Sequence, residues 1–163
     1  MTRLTWDAVW MAHADNIGRR SRCNRADIGC VLVSPDNRTS TAGYVGPPAD
    51  YAPAADDTTT CIDWCPRAQP GHTLQPGYED CCSCHAEMNA AANATLIGGG
   101  VFVGGTAYVN AVVCFTCVKV LAAQRLARVV MRGGDPHRNP SKTITYLEAA
   151  GLQVDIYEEA SDD

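Results

Sequence analysis

The sequence predicts an α/β fold, a three-layer sandwich in which helices cover both faces of a five-stranded mixed sheet. The 163 residues are 46% hydrophobic and 19% charged, which is typical of one folded domain with a continuous core. Short apolar runs of strand length alternate with helical segments in the order α-β-β-α-β-α-β-α-β, and that order indicates a single covered sheet. We expect one domain over residues 1–163, with a cysteine-rich insertion at about 45–83 and a flexible acidic tail from about residue 158.

The first helix is predicted to begin after Thr5, a good N-cap residue, and to end near Gly18. Its apolar residues fall at helical spacing and predict one buried face, made of Trp6, Val9, Trp10, His13 and Ile17. A histidine on such a face is more often a packed side chain than a metal ligand.

A β-hairpin is predicted next. Residues 28–34 form an apolar run rich in valine, residues 39–44 form the returning strand, and Pro35-Asp36-Asn37 supplies the turn between them.

The second half of the chain alternates helix and strand. An alanine-rich helix is predicted over residues 85–97, ended by the glycines at 98–100, and its small side chains favour close packing on a sheet. The later predicted elements are a strand at 106–113, a helix at 114–124, a strand at 129–131, a helix at 141–150 with Gly151 after its C-terminus, and a strand at 154–157.

Residues 45–83 show no sustained period and are rich in proline, glycine, aspartate and cysteine. A loop of this length is uncommon in a compact domain unless it is functional or fastened to the rest of the fold. The cysteines within it suggest that it is fastened.

Composition narrows the function classes. The net charge of −5 argues against extended binding of nucleic acid, which draws on many lysine and arginine contacts, but permits a small anionic substrate. No apolar run approaches the roughly 20 residues of a membrane span, and the N-terminus lacks a signal-peptide pattern, so we expect a cytoplasmic protein. In that compartment the nine cysteines favour metal binding over disulfides, while Cys30, inside an apolar run, is expected to be a core residue.

The most informative motif is His85-Ala86-Glu87 followed by Cys114-x-x-Cys117. One histidine and two cysteines supply three zinc ligands and leave the fourth tetrahedral position open, as in catalytic rather than structural zinc sites. Glu87 is then placed to move protons beside the metal without binding it. This combination is the signature of zinc-dependent hydrolytic deaminases. The competing interpretation is a closed structural zinc site completed by another cysteine such as Cys84.

The chain resembles the cytidine deaminase superfamily, and within it the deoxycytidylate (dCMP) deaminase branch. Besides the zinc motif, the resemblance is carried by R-S-R-C-N-R at 20–25, G-Y-V-G-P-P at 43–48, C-H-A-E-M-N-A at 84–90 and Y-V at 108–109. It implies the deaminase α/β/α sandwich, the conversion of dCMP and water to dUMP and ammonia, and a homo-oligomer, often a hexamer.

The resemblance also implies candidate substrate contacts at Arg22, Arg25, Tyr44, Val45 and Ala86. Three departures bear on the substrate. Val113 replaces the proline before the first zinc cysteine, Val45 replaces an asparagine that helps relatives bind the sugar or an effector nucleotide, and the stretch 131–134 differs from the family's tyrosine-containing loop. A modified pyrimidine nucleotide is therefore an alternative substrate.

A phosphorylated substrate needs positive charge near the pocket. Two clusters could supply it, one made of Arg20, Arg22 and Arg25 and the other of Arg132, His137 and Arg138. Arg22 and Arg25 are the preferred phosphate contacts.

Some dCMP deaminases of this type carry a second, structural zinc that ties the R-S-T-C cysteine to the inserted loop. By that resemblance the ligands here would be Cys23, Cys61, Cys65 and Cys82, with Cys81, Cys84 or His72 as substitutes for the last. Such a site would fasten an otherwise loose loop.

Two other functions stay open at this point. A nucleic-acid base deaminase of the same fold would need a basic face, which the net charge of −5 disfavours. A zinc-stabilised binding module would keep the metal and lack catalysis.

Overall fold

One five-stranded mixed sheet forms the centre of the structure, a computed structural model that describes residues 3–71, 80–133 and 140–159. Its strands are β1 (Gly29–Val33), β2 (Ser40–Tyr44), β3 (Thr106–Val109), β4 (Arg128–Arg132) and β5 (Gln153–Tyr157). The spatial order is β2-β1-β3-β4-β5, in which β1 runs antiparallel to both of its neighbours and β3, β4 and β5 are parallel. The predicted fold class is confirmed.

Helices lie on both faces of this sheet. The α-helices are α1 (Trp6–Gly18), α2 (Cys61–Trp64), α3 (Ala86–Leu96), α4 (Phe115–Ala123) and α5 (Pro140–Ala149). Helix α1 packs on one face, while α3, α4 and α5 contribute to the core on the other. Across the described ranges, none of the helices combines the length and apolar character that crossing a bilayer requires.

Alternation along the strands divides the core between the two faces. In β1, Cys30 and Leu32 point into the larger cluster beneath α3 and α4, whereas Val31 and Val33 point towards α1. Successive side chains of a strand face opposite sides of the sheet, and both sides of β1 are covered, so all five of its residues are buried. Cys30 is fully buried, as the apolar run around it predicted.

The buried face of α1 differs from the predicted one. Met11, Ala14 and Gly18 face the sheet, while Trp6 is 50% exposed. The ring of Trp10 stacks on both Trp6 and His13, and Trp10 and Ile17 pack against the buried cluster of Met11 and Ala14 while remaining partly exposed. Thr5 caps the helix as predicted, since its Oγ1 accepts a hydrogen bond from the N–H of Ala8 at 3.2 Å.

Helix α3 lies unusually close to β2 because both elements present small residues. A Cβ atom added to Gly43 would lie 2.3 Å from the backbone nitrogen of Ala90 and 2.5 Å from the carbonyl oxygen of Ala86. The glycine therefore allows the first turn of α3, where the site residues lie, to sit directly on the sheet.

Part of the insertion is ordered into short helices. Besides α2, the described residues include 3-10 turns at Ala52–Ala54 and Pro66–Ala68. The Arg22 guanidinium donates hydrogen bonds to the carbonyl oxygens of Ala54 and Thr59 at 2.6 and 3.0 Å. Arg22 thus fastens the insertion, a role that the sequence pattern did not suggest.

An ionic cluster joins α1 to the middle of the sheet. Arg128 donates to both carboxylate oxygens of Asp7 at 2.8 and 2.9 Å, and the Tyr108 hydroxyl donates to Asp7 Oδ1 at 2.8 Å. The Arg128 hydrogen bond holds the pKa of Asp7 below its ordinary value.

Candidate metal centre and active site

Three ligand atoms meet where α3 and α4 begin. His85 is the N-cap residue of α3 and Cys114 the N-cap residue of α4, and Cys117 lies in the first turn of α4. The His85 Nδ1 atom is 3.3 Å from the sulfur of Cys114 and 3.3 Å from that of Cys117. The two helices pack side by side on the same face of the sheet, which brings residues 29 positions apart together.

This trio fits a zinc ion. Its ligand atoms lie within 4.8 Å of one another, and within residues 3–71, 80–133 and 140–159 no other group of three or more histidine, cysteine and carboxylate side chains is so close. Imidazole nitrogen and cysteine sulfur are ligands that zinc prefers. Cys84 is outside the trio, so the geometry does not favour a site closed by that residue.

The pKa values of the two cysteines are shifted in opposite directions. The hydrogen bond from the Cys117 thiol, with a further contribution from His85, lowers the pKa of Cys114 to about 4. The same contact with Cys114, together with burial, raises the pKa of Cys117 well above its ordinary value. A thiolate at a helix N-terminus is the form of cysteine that binds metal.

Glu87 lies in the first turn of α3 and is 3% exposed. It does not belong to the ligand trio. Burial raises the pKa of its carboxyl group, and the negative charge of Cys114 adds to that effect.

A cavity of about 220 Å³ opens onto Glu87 and His85. The described residues that line it combine apolar side chains, two cysteines and two arginines: Cys23, Arg25, Ala26, Ile28, Val45, Arg67, Cys81, His85 and Glu87. Glu87 and His85 therefore lie at a concave site, as ligand-binding residues usually do.

Only some of the candidate substrate contacts line this cavity. Arg25 and Val45 line it, whereas Arg22, Tyr44 and Ala86 are not among its lining residues. Ala86 is fully buried, and Tyr44 borders a separate surface depression. Arg22 is engaged by backbone oxygens of the insertion, so its contacts do not favour a role in phosphate binding.

The other cationic candidates lie elsewhere. Arg20 forms an exposed ion pair with Asp57 at 2.8 Å, and Arg132 pairs with Asp15 at 2.6 Å and with Glu159 at 2.9 Å. His137, Arg138 and the alternative zinc ligand His72 lie outside the described residues.

Further cysteines lie in and beside the insertion, and two of them, Cys23 and Cys81, line the cavity. The sulfur of Cys65 is 4.0 Å from that of Cys81, and the buried Cys61 and Cys23 interact with each other. The sulfur of Cys82 accepts a hydrogen bond from the Tyr51 hydroxyl at 3.2 Å. These residues are close, although they do not form a ligand group as tight as the trio.

Sequence reasoning missed two residues that shape the site. Arg67 lines the cavity from within the insertion, where no periodic pattern marked it. The Asn89 amide donates hydrogen bonds to the carbonyl oxygens of Tyr44 and Gly46 at 2.8 and 3.3 Å, and so holds the segment around Val45 against α3. The C-H-A-E-x-N-A pattern contained Asn89 but gave no sign of this positioning role.

Comparison with known proteins places the chain in a family. The protein-family model for the cytidine and deoxycytidylate deaminase zinc-binding region matches residues 4–132, which include the ligand trio and Glu87. The chain belongs to this deaminase family. The family is a zinc-binding one, in agreement with the donor set of the trio.

Individual relatives of this deaminase family agree. The deoxycytidylate deaminase of Mycobacterium phage D29 is 33% identical over 131 residues, covering 80% of this chain and 96% of the phage protein. The deoxycytidylate deaminase of Schizosaccharomyces pombe is 31% identical over 158 residues, 95% of this chain. The chain spans 45% of the length of that yeast relative.

The fold is shared with a solved structure. The dCMP deaminase of the cyanophage S-TIM5, crystallised with dCMP and dUMP, matches with a TM-score of 0.67 at 18% identity. The match covers 96% of this chain and 100% of the phage chain.

Proposed function

We propose that this chain is a zinc-dependent hydrolase that deaminates dCMP to dUMP and ammonia. The observation that carries the proposal is a buried glutamate, Glu87, which lines a cavity together with His85 of the three-ligand site. Two relatives that are at least 31% identical carry the name deoxycytidylate deaminase, which supports this pyrimidine nucleotide as the substrate.

His85, Cys114 and Cys117 would hold the zinc ion. Zinc bound in this way lowers the pKa of a water molecule towards about 7 and so makes a nucleophile available at neutral pH. Three protein ligands would leave a position on the metal for that water, and the location of these side chains at two helix N-termini favours the thiolate form of the cysteines.

Glu87 would move the protons. Its carboxylate accepts a proton from the attacking water and delivers it to the ring nitrogen next to C4. A second proton then passes through the same carboxylate to the departing amino group, which leaves as ammonia, and the C4 oxygen of the uracil product comes from water. Burial keeps bulk water from competing for these transfers.

The cavity wall would hold the base and the phosphate. Ala26, Ile28 and Val45 offer an apolar surface for the pyrimidine ring, and Arg25 offers positive charge for the phosphate. The Val45 side chain cannot form a hydrogen bond to the sugar. The selectivity between nucleotides is therefore the quantity to measure.

The direct test is a substrate panel. Purified zinc-loaded protein is assayed for ammonia release from dCMP, CMP, dCTP, deoxycytidine and 5-substituted dCMPs. The proposal predicts selective turnover of dCMP. Selective turnover of a 5-substituted nucleotide would keep the chemistry and replace the substrate, and no turnover by protein with full zinc would favour a binding module.

We also propose a second, structural zinc in the cysteine-rich insertion. Cys23, Cys61 and Cys65 would be three ligands, and the 4.0 Å separation of the Cys65 and Cys81 sulfurs supports Cys81 at least as well as Cys82 for the fourth. Four thiolates suit zinc and would fasten residues 45–83. Metal analysis of the wild-type protein should then give two zinc ions per chain, and of a C61S/C65S double variant one; a single ion in the wild type would contradict the second site.

The assembly and compartment follow as further proposals. We propose a homo-oligomer, a hexamer by resemblance, working in the cytoplasm. Its support is a group of exposed apolar side chains at the end of α3 and in the turn after it, namely Leu96, Ile97, Val101 and Val103, which are 39% to 83% exposed. Light scattering of the purified protein should give a mass well above 17.4 kDa, and a monomer at all concentrations would contradict the proposal.

A further inference from the structure

Two arginines line the cavity that contains Glu87. Among its described lining residues, Arg25 and Arg67 carry the positive charge of the arginines, and Ile28 and Val45 are among the apolar side chains. A ligand that has both an anionic group and an apolar part matches this combination.

The side chain of Arg67 is restrained by its surroundings. It lies in the short turn Pro66–Ala68 directly after Cys65, and its side chain is 7% exposed. Its Nη1 atom is 2.9 Å from Asp80 Oδ1, so the chain on the far side of the insertion fixes the guanidinium. Little side-chain entropy is lost when a group restrained in this way binds a ligand.

The other arginines near this end of the molecule have different surroundings. Arg20 pairs with Asp57 in an exposed position, Arg22 donates to backbone oxygens of the insertion, and neither lines the cavity. Arg25 does line it, but it is an exposed residue. Arg67 is therefore the best-restrained cation of the cavity wall.

A nucleotide carries both groups that these lining residues would contact, a ring for Glu87 and a phosphate for the arginines. If the amino-bearing carbon of the ring lies beside Glu87, the phosphate lies several ångströms away, among the remaining lining residues. We propose that Arg67, together with Arg25, binds the 5′-phosphate of the substrate and makes the site select a nucleotide over a nucleoside. This inference rests on the proposed function and assigns a specificity-determining residue to it.

The chemistry of the guanidinium fits this role. Its planar fork of N–H donors matches the oxygens of a phosphate, and the Asp80 carboxylate fixes the orientation of that plane. The alternative is that the Arg67–Asp80 pair only fastens the two ends of the insertion. The two roles differ in one measurable respect, because only a phosphate contact distinguishes a nucleotide from its nucleoside.

The experiment measures equilibrium binding of dUMP and of deoxyuridine to zinc-loaded protein by calorimetry. The variants are R67M, which removes the charge, R67K, which keeps it without the fork, and R38M as a control. Arg38 is a solvent-exposed arginine whose side chain is 84% exposed, and it is not among the cavity-lining residues.

We expect wild-type protein to bind dUMP much more tightly than deoxyuridine. R67M should weaken dUMP binding about 10- to 100-fold, the range of a hydrogen bond to a charged group, and leave deoxyuridine binding within about 2-fold. R67K should lie between, and R38M should match the wild type.

Equal weakening of both ligands by R67M, or no weakening of dUMP, would overturn the inference. If R67M does not fold, R67K decides by the same comparison of dUMP with deoxyuridine. Deamination assays on the same samples separate the two proposals. Wild-type protein that binds dUMP through Arg67 without deaminating dCMP would refute only the function, and active protein indifferent to R67M would refute only the phosphate site.

Discussion

Replacing Glu87 by glutamine should abolish catalysis and leave the metal in place. Glutamine has nearly the same shape as glutamate but cannot accept and release a proton at neutral pH, and Glu87 is outside the ligand trio. The E87Q protein should therefore contain as much zinc as the wild type and lose deamination of dCMP.

The structure sets the size of the effect. A positioned general acid–base group contributes about 10²- to 10⁴-fold to a rate. In the proposed mechanism Glu87 transfers two protons. The residue is only 3% exposed, so bulk water cannot substitute for it. We therefore expect a loss near about 10⁴-fold in kcat, or about 5 kcal/mol in the barrier. Stability should change by less than about 1 kcal/mol, because the amide replaces a buried carboxyl of equal volume.

The assay follows dCMP consumption and ammonia release at saturating substrate, with zinc measured on the same samples. E148Q is the matched control, since Glu148 is exposed on α5 and far along the chain from the site. Wild-type activity in E87Q with full zinc would refute the assignment of the proton carrier. Loss of zinc together with activity would instead make Glu87 a part of the metal site.

Three further predictions concern the metal, the packing and the acid stability. C117S should lose the catalytic zinc and all deamination, whereas C30A, a change of a core cysteine outside the ligand trio, should keep both; metal analysis and activity assays decide. G43A should lower the free energy of urea unfolding by about 1–3 kcal/mol, because its Cβ would lie 2.3 Å from a backbone nitrogen of α3; an unchanged midpoint would contradict that packing. Arg128 lowers the pKa of Asp7 in the folded state, so this carboxylate stabilises the protein above its unfolded pKa of about 3.9, and the contribution is lost as pH falls through the folded pKa. D7N should lower the free energy of unfolding by about 1 kcal/mol at pH 7, a value that allows for solvent screening of a side chain that is 34% exposed. In urea melts the difference in stability between D7N and the wild type should shrink below about pH 4. A difference that grows below that pH would contradict the prediction.

The sequence pattern identified the residues of the ligand trio because each half of the motif lies within one helical turn. Cys114 and Cys117 are three residues apart and so lie on one helical turn, and His85 and Glu87 share the start of α3. Their placement at helix N-termini followed from the glycines and apolar runs that bound the helices. The same alternation predicted a single sheet of five strands, but it did not predict their spatial order, β2-β1-β3-β4-β5.

The insertion and the cavity wall were not readable, because their contacts join residues far apart in a segment without periodicity. Arg22 reaches Ala54 and Thr59, 32 and 37 residues away, and this long-range role is absent from the local pattern. Arg67 enters the cavity for the same reason. The buried face of α1 was predicted only in part, because Trp10 and Ile17 do pack against the core but the most buried residues are the smaller Ala14 and Gly18 beside Met11, whereas Trp6 is exposed.

The most direct test of the central claim is to incubate the zinc-loaded wild-type protein with dCMP in water enriched in oxygen-18 and to analyse the product by mass spectrometry. Hydrolytic deamination predicts dUMP that carries one labelled oxygen at C4, formed together with one equivalent of ammonia. The absence of dUMP, or dUMP without the label at the earliest times, would contradict the mechanism assigned to Glu87 and its neighbouring metal site.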